Sequence, residues 1–282
     1  MIAAMDPFKD RVAVVTGGAG GIGSAMARAF AARGAKIVLA DLDAANLTVV
    51  TKHLEASGAQ VLGVPTDVTK RESVEALAEA TLSRFGAAHI VCNNAGIATF
   101  GPIATSTQKD WEFTMNVNFW GVVYGLQAFV PRLIAQRQGG HVINTASMAG
   151  LTGMSWLGVY CASKFAVVGL TESLLRELRP HGIGVSVLCP MIVETRINEN
   201  SLRMRPRELR NPDGSDIPQT GGDAPALVGG TIQPDELARR VVRAVSRRDF
   251  YILTHPEQRE ILKRRAQRID ETFAPERWPL DA

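Results

Sequence analysis

Tyr160 and Lys164 stand four residues apart, a spacing that puts both side chains on one face of a helix. A tyrosine hydroxyl has a pKa of about 10 in water, and a nearby ammonium group stabilises its phenolate form. A pKa lowered by about three units, which takes roughly 4 kcal/mol, would let the tyrosine act as a general acid and base near neutral pH. The chain has only 3 tyrosines, so chance rarely produces this pair. A structural contact within the helix is the alternative.

Several glycines fall within residues 17–23, between the apolar run Val12–Thr16 and an alanine-rich helical pattern over 24–33. Glycines allow a sharp turn and a close approach of a pyrophosphate, and the following helix presents free N–H groups to it. We therefore predict a dinucleotide-binding loop. A glycine-rich turn without function is the alternative, which the strand before it and the helix after it disfavour. The loop fits GxGxxG, TGxxxGxG and TGxxGxxG spacings, so the glycines alone do not select a subfamily.

Asp41 ends the second apolar run, where an acid can accept hydrogen bonds from an adenosine ribose. The glycine loop holds no lysine or arginine, so a 2′-phosphate would meet a carboxylate, and NAD is favoured over NADP. A turn acid at Asp41 and a helix cap at Asp43 are the alternatives. Asp67 and Val68 follow the third apolar run and can contact an adenine, although Asp67 can equally cap the next helix.

Short apolar runs alternate with helical patterns such as Arg71–Phe85 along the whole chain. The runs lack polar alternation, as in strands buried on both faces of a parallel sheet. The pattern predicts an α/β, Rossmann-type, doubly wound parallel sheet of about seven strands flanked by helices on both faces. No break in composition divides residues 1–282, which we take as one domain. The predicted strands are Val12–Thr16, 36–40, 60–65, 89–93, 141–146, 184–189 and 250–253.

The composition is that of a globular protein, with 46% hydrophobic and 21% charged residues among 282. A net charge of +3 gives no reason to expect nucleic acid. No signal peptide or membrane-length apolar run is readable, so we expect a cytoplasmic protein without a membrane partner. The 3 cysteines form no CxxC, and the 5 histidines lack metal-ligand spacing. We expect no metal, and surface or strand-edge positions for His53, His89, His141, His181 and His255.

Five motifs together resemble the non-extended branch of the short-chain dehydrogenase/reductase family, over about residues 11–195. Ser147 precedes Tyr160 by 13 residues, as in the family's pattern. The asparagine motif and the length of the chain distinguish it from the extended branch, which settles the ambiguity of the glycines. The motifs are Thr16-Gly-Gly-Ala-Gly-Gly-Ile-Gly23, Asn93-Asn-Ala-Gly96, Asn118-Phe-Trp-Gly121, Ser147 and Tyr160-Cys-Ala-Ser-Lys164.

The resemblance implies four catalytic residues. Tyr160 would exchange a proton with the substrate oxygen while hydride moves to or from the nicotinamide. Lys164 would hold the nicotinamide ribose and, with the positive nicotinamide, lower the pKa of Tyr160. Ser147 would hydrogen-bond the substrate oxygen. Asn118 would hold a water that relays protons from Lys164, which leaves Asn116 a structural role.

The resemblance and the loop chemistry together imply a set of cofactor-binding residues. Met191 stands where the family usually has glycine, so we expect the backbone there to follow another path and the contact at Thr195 to be less secure. The predicted set is Gly17, Gly21, Ile22, Gly23, Asp41, Asp67, Val68, Asn94, Gly96, Tyr160, Lys164, Val193 and Thr195.

Residues 191–233 follow the sixth predicted strand and are rich in arginine, proline and glycine. Because long loops at this edge of a sheet commonly cover ligands, we predict a substrate lid there, and a helical tail over 256–282. The arginines of the lid either select an acidic or CoA-bearing substrate or, as we favour, form a solvated or oligomer-facing loop. They are Arg196, Arg203, Arg205, Arg207 and Arg210.

These features predict an NAD-dependent oxidoreductase that interconverts a secondary alcohol and a ketone. Apolar residues point to a fairly large, ring-bearing substrate, and the lid and tail are somewhat similar to those of bacterial dehydrogenases acting on aryl-ether alcohols. An NAD-binding sensor without turnover, or a dehydratase or epimerase using the same Tyr/Lys pair, are the alternatives. The resemblance also implies a homotetramer or homodimer built on helices around 111–137 and 160–179. The apolar residues are Met154, Trp156, Met191, Ile192, Ile197, Leu202 and Met204.

Overall fold

Parallel strands form the centre of the computed structural model, which describes residues 6–212, 214–216 and 229–274. They are β1 (Val12–Thr16), β2 (Lys36–Asp41), β3 (Val61–Pro65), β4 (Ile90–Asn93), β5 (Gly140–Thr145), β6 (Ile183–Cys189), β7 (Ile192–Val193), β8 (Thr231–Ile232) and β9 (Tyr251–Leu253). The main sheet has the order β3-β2-β1-β4-β5-β6-β9, with every neighbouring pair parallel. The strands β7 and β8 form a separate parallel ribbon.

Helices connect the strands as in right-handed βαβ units. They are α1 (Gly21–Ala31), α2 (Ala44–Ala56), α3 (Arg71–Phe85), α4 (Gln108–Met115), α5 (Gly121–Gln136), α6 (Gly158–Leu178), α7 (Ile197–Met204), α8 (Pro234–Arg247) and α9 (Arg259–Asp270). Local chemistry sets several boundaries. Thr107 and Asp110 form a reciprocal capping box at the start of α4, and Gly86 ends α3 in the left-handed conformation at φ +77°.

Apolar side chains cover both faces of the sheet. On one face, Phe30 of α1 and Val241 of α8 pack on β1 and β2. On the other face, Leu77 of α3, Phe129 of α5 and Val167 of α6 pack on the same sheet. Every residue of β1 and β6 is buried, which explains why these strands lack polar alternation in the sequence. The predicted doubly wound α/β fold is confirmed.

The predicted strands all occur, but the first predicted helix begins earlier than expected. The alanine-rich pattern was expected to be helical over 24–33, whereas α1 starts at Gly21. Glycine has a low helix propensity, and here Gly21 and Gly23 occupy the first turn because larger residues would not fit there. Tertiary packing therefore overrides the local preference.

The segment 191–233 contains β7, α7, a 3₁₀ turn at Arg207–Leu209 and β8 within its described part. Of the predicted lid, residues 213 and 217–228 lie outside the described residues. Of the predicted tail, residues 275–282 lie outside them as well. Within 256–274 the chain forms the 3₁₀ turn Pro256–Gln258, the helix α9 and a second 3₁₀ turn at Glu271–Phe273. No helix among the described residues is long and apolar enough to cross a membrane.

Arg205 is the exception among the five arginines expected to be solvated, since the other four are exposed. Its side chain is only 4% exposed and lies 2.8 Å from Asp110 and 3.1 Å from Asp216, measured between Nη1 and a carboxylate oxygen. The guanidinium also lies over the ring of Phe113, 5.5 Å from its centroid, and its Nε donates to the Leu209 carbonyl at 2.7 Å. Two carboxylates offset the cost of burying the cation, so this part of the segment is anchored on α4.

Two of the five histidines lie at the surface as expected, and the other three are buried. His53 and His181 are exposed, whereas His141 is buried within β5, its Nε2 2.7 Å from Ser186 Oγ. Burial lowers the pKa of His141 to about 4, so it is neutral at physiological pH. His89 and His255 are also buried.

Candidate active site

A cleft of about 710 Å³ lies where the chain leaves the carboxyl ends of the parallel strands. The order of the sheet reverses between β1 and β4, and ligands of doubly wound folds bind at such a point. The volume is that of a small-molecule site. All the predicted cofactor residues line it: Gly17, Gly21, Ile22, Gly23, Asp41, Asp67, Val68, Asn94, Gly96, Tyr160, Lys164, Val193 and Thr195.

The glycine loop has little room for side chains at four positions. Gly17 has φ +63°, a conformation that favours glycine. A Cβ at Gly23 would lie 2.1 Å from the Gly17 carbonyl oxygen, and a Cβ at Gly21 would lie 2.8 Å from Thr195 Cγ2. A Cβ at Gly18 would likewise lie 2.8 Å from the Val15 carbonyl oxygen. The structure therefore disfavours side chains at Gly17, Gly18, Gly21 and Gly23, which include all three glycines of the TGxxxGxG spacing. The first turn of α1 leaves amide groups without intrahelical partners beside this loop, as an anion site needs.

Asp41 both lines the cleft and fixes the glycine loop. Its Oδ2 accepts a hydrogen bond from Ala19 N at 2.9 Å, and its Oδ1 accepts one from Asp43 N at 3.0 Å. Burial raises the pKa of Asp41, against these backbone hydrogen bonds. Asp41 therefore makes the contacts expected of a turn acid. Each of its carboxylate oxygens still has a lone pair that can accept a hydrogen bond from a ribose hydroxyl. Asp43 is the N-cap of α2 and accepts from Asn46 N.

Two arginines lie nearer to Asp41 than the sequence suggested. Arg196 and Arg203 line a smaller pocket of about 290 Å³ together with Asp41 and Asp43. Arg203 Nη2 lies 2.8 Å from Asp43 Oδ2, so its charge is partly balanced. The sequence argument against a cation near the ribose site counted only the residues of the glycine loop. Arg196 and Arg203 come from the start and the body of α7, which is distant in sequence but packs beside that site.

Asp67 does not cap the helix that follows it. Its Oδ1 accepts from Thr69 N at 3.0 Å and from Thr69 Oγ1 at 2.7 Å, within the turn before α3. The N-cap of α3 is Lys70, which makes no side-chain capping bond. Val68 packs against Gly121, where a Cβ would lie 3.0 Å from Val68 Cγ2. Asp67 and Val68 both line the cleft.

The asparagine motif ties the ends of neighbouring strands together. Asn94 N donates to Thr16 Oγ1 at 2.9 Å, and Asn94 Nδ2 donates to the Thr16 carbonyl at 3.0 Å. Asn93 Nδ2 donates to Asn144 Oδ1 at 2.8 Å. A Cβ at Gly96 would lie 3.4 Å from Lys164 Nζ, so the lack of a side chain there leaves room for the ammonium group.

Asn118 lies in a π-helical turn, Asn116–Trp120, between α4 and α5. Its Nδ2 donates to the Ile97 carbonyl at 3.0 Å and to Ser163 Oγ at 3.1 Å, and its Oδ1 accepts from Ile97 N at 2.9 Å. Both amide hydrogens are used, so a water bound at Asn118 would have to donate to it. Asn118 is fully buried. It packs behind the wall of the cleft, and π-helical turns are frequent at functional sites.

Lys164 and Tyr160 occupy the first turns of α6 at the inner end of the cleft. The Lys164 side chain is buried, with 3% of the residue exposed, and its Nζ donates to the Thr145 carbonyl at 3.1 Å. Nζ lies 5.6 Å from the centroid of the Tyr160 ring. Burial lowers the pKa of Lys164 to about 8. Burial also raises the pKa of Tyr160 to about 12, although a hydrogen bond with Ser147 opposes this. The protein's own groups therefore do not bring the pKa of Tyr160 near neutrality, whereas the sequence predicted that Lys164 would supply part of that lowering and the nicotinamide the rest.

Ser147 lies two residues after the end of β5 and forms a hydrogen bond with Tyr160. Its Oγ accepts from Ala149 N at 3.1 Å and can donate to the Pro190 carbonyl at 3.3 Å. A serine hydroxyl has one hydrogen, so it is shared between Pro190, Tyr160 and any oxygen that enters the cleft. Met191 stands where the family usually has glycine, and its backbone is not in the left-handed conformation. This position therefore does not require a glycine. Thr195 still lies against Gly21.

The comparisons with known proteins agree with this geometry. The family described as short chain dehydrogenase matches residues 11–206. The chain belongs to the short-chain dehydrogenase/reductase family. It is 34% identical to a C alpha-dehydrogenase of Sphingobium sp. over 96% of this chain and 89% of that one. It is 36% identical to a 1-deoxy-11-beta-hydroxypentalenate dehydrogenase of Streptomyces exfoliatus over 89% of this chain and 86% of that one.

Solved structures of this family hold two different dinucleotides. A short-chain dehydrogenase/reductase from Burkholderia phymatum in complex with NAD has a TM-score of 0.86 and 37% identity, covering 99% of both chains. A metagenomic short-chain oxidoreductase in complex with NADP has a TM-score of 0.68 and 29% identity, covering 88% of this chain and 97% of that one. The chain is thus an oxidoreductase of a family whose members use either cofactor.

Replacing Gly23 by alanine should strongly weaken NADH binding, because the new Cβ would meet the Gly17 carbonyl and displace the loop. We expect at least a tenfold weaker Kd by fluorescence titration. Gly169→Ala on α6 is the matched control, because a Cβ there would meet nothing within 4 Å among the described residues and this glycine does not line the cleft. It should stay within about threefold of the unchanged protein, since 1.4 kcal/mol corresponds to a factor of ten. Equal affinities of the two variants would contradict the proposed role of the loop.

Proposed function

We propose that the protein is an NAD(H)-dependent oxidoreductase that interconverts a secondary alcohol and a ketone. One observation carries this proposal. The hydroxyls of Ser147 and Tyr160 and the ammonium of Lys164 line the same cleft as the glycine loop. A bound dinucleotide and an alcohol would therefore meet beside a proton donor and a cation.

The described residues fit a dinucleotide. The glycine loop is closed to side chains at Gly17, Gly21 and Gly23, and the first turn of α1 can hold the pyrophosphate. Asp41 can accept from the adenosine ribose hydroxyls, with Asp67 and Val68 beside the adenine. Asn94, Gly96, Val193 and Thr195 would border the nicotinamide end, with Ile22 under the pyrophosphate. When bound, NAD supplies the hydride acceptor for alcohol oxidation, and NADH supplies the donor for reduction.

Tyr160 is the proposed general acid and base. In alcohol oxidation the hydroxyl proton of the substrate would pass to Tyr160 Oη as the carbonyl forms, and in reduction Tyr160 would return a proton to the carbonyl oxygen. Ser147 Oγ would donate to the same substrate oxygen and stabilise its developing charge. Phenolate formation is favoured by the cations near the tyrosine, each unit of pKa lowering requiring about 1.4 kcal/mol.

Lys164 has hydrogens to spare for this role. Its ammonium has three donors, of which one is used by the Thr145 carbonyl. The others can reach ribose hydroxyls of the cofactor and stabilise the phenolate of Tyr160. Its pKa of about 8 leaves it mostly protonated at pH 7. Asn118, held by Ile97 and Ser163, would bind the water through which protons leave Lys164.

The cleft favours a fairly large apolar substrate with a ring. Its described wall beyond Tyr160 is formed by aromatic and aliphatic side chains from four separate parts of the chain. Such a wall gains free energy by burying apolar substrate surface, about 25 cal/mol per Å². Met191, Ile192, Ile197 and Met204 line it as predicted from the sequence, together with Phe100, Phe113, Met154, Leu157 and Leu209. Trp156 and Leu202, which the sequence also suggested, are absent from its described wall.

Cofactor preference tests the role assigned to Asp41. We expect NADH to bind at least tenfold more tightly than NADPH in a fluorescence titration, a difference of about 1.4 kcal/mol. A carboxylate at the ribose site repels the 2′-phosphate, and Arg203 is already paired with Asp43. Asp41→Asn should narrow the preference while keeping the size of the side chain. Tighter binding of NADPH than of NADH would contradict the NAD proposal. If NADPH then no longer bound to the Arg196→Gln variant, Arg196 would be the cation that holds the 2′-phosphate.

Replacing Tyr160 by phenylalanine should remove turnover and spare cofactor binding. We expect kcat for a panel of ring-bearing secondary alcohols to fall by at least 10²-fold, the usual contribution of a general acid or base. The Kd of NADH should change by less than about threefold. In the unchanged enzyme, alcohol oxidation should speed up and ketone reduction should slow down as the pH rises, because oxidation needs the phenolate and reduction needs the phenol.

Three outcomes would contradict this proposal. Binding of NADH without turnover of any alcohol or ketone would favour a sensor. Tightly held NAD with no net redox change would favour an epimerase or dehydratase. Turnover of small acidic alcohols alone would overturn the apolar substrate class.

Tyr124→Phe is the matched control for Tyr160→Phe, because Tyr124 lies on α5 and packs against Trp120, 5.9 Å between ring centroids. It should leave kcat unchanged.

A further inference from the structure

His255 is a buried side chain that the proposed mechanism does not use. It is 4% exposed and lies two residues beyond β9. Because β9 pairs in parallel with β6, Leu253 opposite Cys189, the chain leaving β9 runs beside the chain leaving β6. This register brings His255 next to Met191, 64 positions earlier in the sequence.

The contacts of the ring fix its protonation. Met191 N donates to His255 Nδ1 at 3.2 Å, so Nδ1 carries a lone pair. The Thr254 hydroxyl lies 2.7 Å from the same nitrogen and can donate to it as well. The proton of a neutral imidazole is then on Nε2. Nε2 lies 3.1 Å from the Ile192 carbonyl oxygen and 3.0 Å from the Gly230 carbonyl oxygen, and can donate to both.

These contacts reach two strands that are far apart in sequence. Ile192 begins the strand β7 and Met191 directly precedes it, and Gly230 directly precedes the strand β8. The two strands pair, Ile192 with Thr231 and Val193 with Ile232, and Glu194 N donates to the Ile232 carbonyl at 3.0 Å. One imidazole therefore bonds to both sides of the ribbon at its base.

The returning side is also held by the turn that follows His255. Gly230 N donates to Glu257 Oε1 at 2.9 Å. Gly229 has φ +139°, and a Cβ there would lie 3.1 Å from Gln258 Nε2 and 3.2 Å from Glu257 Oε1. The chain passes this turn so closely that glycine is needed. The start of β8 is therefore held both by His255 and by the turn that follows it.

We infer that His255 is a positioning residue that joins the β7–β8 ribbon to the main sheet and thereby sets where Val193 and Thr195 face the cofactor cleft. It does not itself line that cleft among the described residues. It acts through the backbone of Met191, Ile192 and Gly230. The consequence for NADH binding rests on the proposed function, whereas the consequence for the ribbon does not.

Hydrogen exchange measured by mass spectrometry tests the contact directly. In His255→Phe, which keeps a flat ring without polar atoms, peptides covering 190–195 and 229–233 should exchange at least tenfold faster than in the unchanged protein. Peptides from β1, β4 and β5 should keep their rates. His53→Phe replaces an exposed histidine and should leave all peptides unchanged.

Two conservative variants separate the two ring nitrogens. Asparagine can place an acceptor where Nδ1 stands, and glutamine can place a donor where Nε2 stands. His255→Asn should preserve protection only in the 190–195 peptide, through Met191 N, whereas His255→Gln should preserve part of it in both peptides, through the Ile192 and Gly230 carbonyls. These variants also carry the test if His255→Phe does not fold. Unchanged exchange in all of them would overturn the inference, as would faster exchange spread over the whole sheet, which marks an ordinary core residue.

Cofactor binding distinguishes this inference from the proposed function. In His255→Phe we expect NADH to bind at least tenfold more weakly, with kcat at saturating cofactor changed by less than threefold, because β5 and α6 position Ser147, Tyr160 and Lys164. If the unchanged protein fails to bind NADH, the proposed function fails and the exchange data still decide the role of His255. If the unchanged protein binds NADH and His255→Phe binds it equally well, the effect on the cleft is excluded.

Discussion

The active-site arrangement depends on one buried ammonium group. Burying a cation costs free energy unless acceptors replace its water. At Lys164 one acceptor is the Thr145 carbonyl at the end of β5. Gly96, after β4, leaves room for the ammonium, and the side chain of Asn118 lies beside that glycine. Helix α6 brings Lys164 into this position and carries Tyr160 one turn earlier. The ends of two strands, a π-helical turn and a helix start must therefore all be in register for one lysine to be accommodated.

Burial also sets the electrostatics of the pair. It lowers the pKa of Lys164 to about 8 and raises the pKa of Tyr160 to about 12, because a low dielectric disfavours each charged form. Burial therefore favours the neutral form of both side chains. A protonated tyrosine can donate a proton to a substrate, but it cannot accept one. An additional positive charge close to the hydroxyl reverses that balance. The nicotinamide ring of NAD carries such a charge, which is why cofactor binding and proton transfer are coupled in the proposed mechanism.

Local patterns in the sequence predicted the sheet and much of the proposed site. Uninterrupted Val, Ile and Leu runs mark strands buried on both faces, and the glycine loop, Ser147 and the Tyr160–Lys164 pair lie beside them within short stretches of chain. Contacts between distant segments could not be predicted this way. Arg205 looked solvated because its partners Asp110 and Asp216 come from another helix and a later turn. His255 gave no signal, since its partner is Met191. Arg203 was not placed near Asp43 for the same reason.

The coupling between the cofactor and Tyr160 is the central claim, and ¹³C NMR of ring-labelled tyrosine measures it directly. The chain has 3 tyrosines, and Tyr160→Phe assigns the signal. At pH 7.5, where Lys164 is still largely protonated, Tyr160 should give a phenol shift in the free protein and a phenolate shift once NAD⁺ is saturating, while Tyr124 and Tyr251 stay unchanged. In Lys164→Met the NAD⁺-dependent shift should be reduced. A Tyr160 signal that does not respond to NAD⁺ would contradict the account.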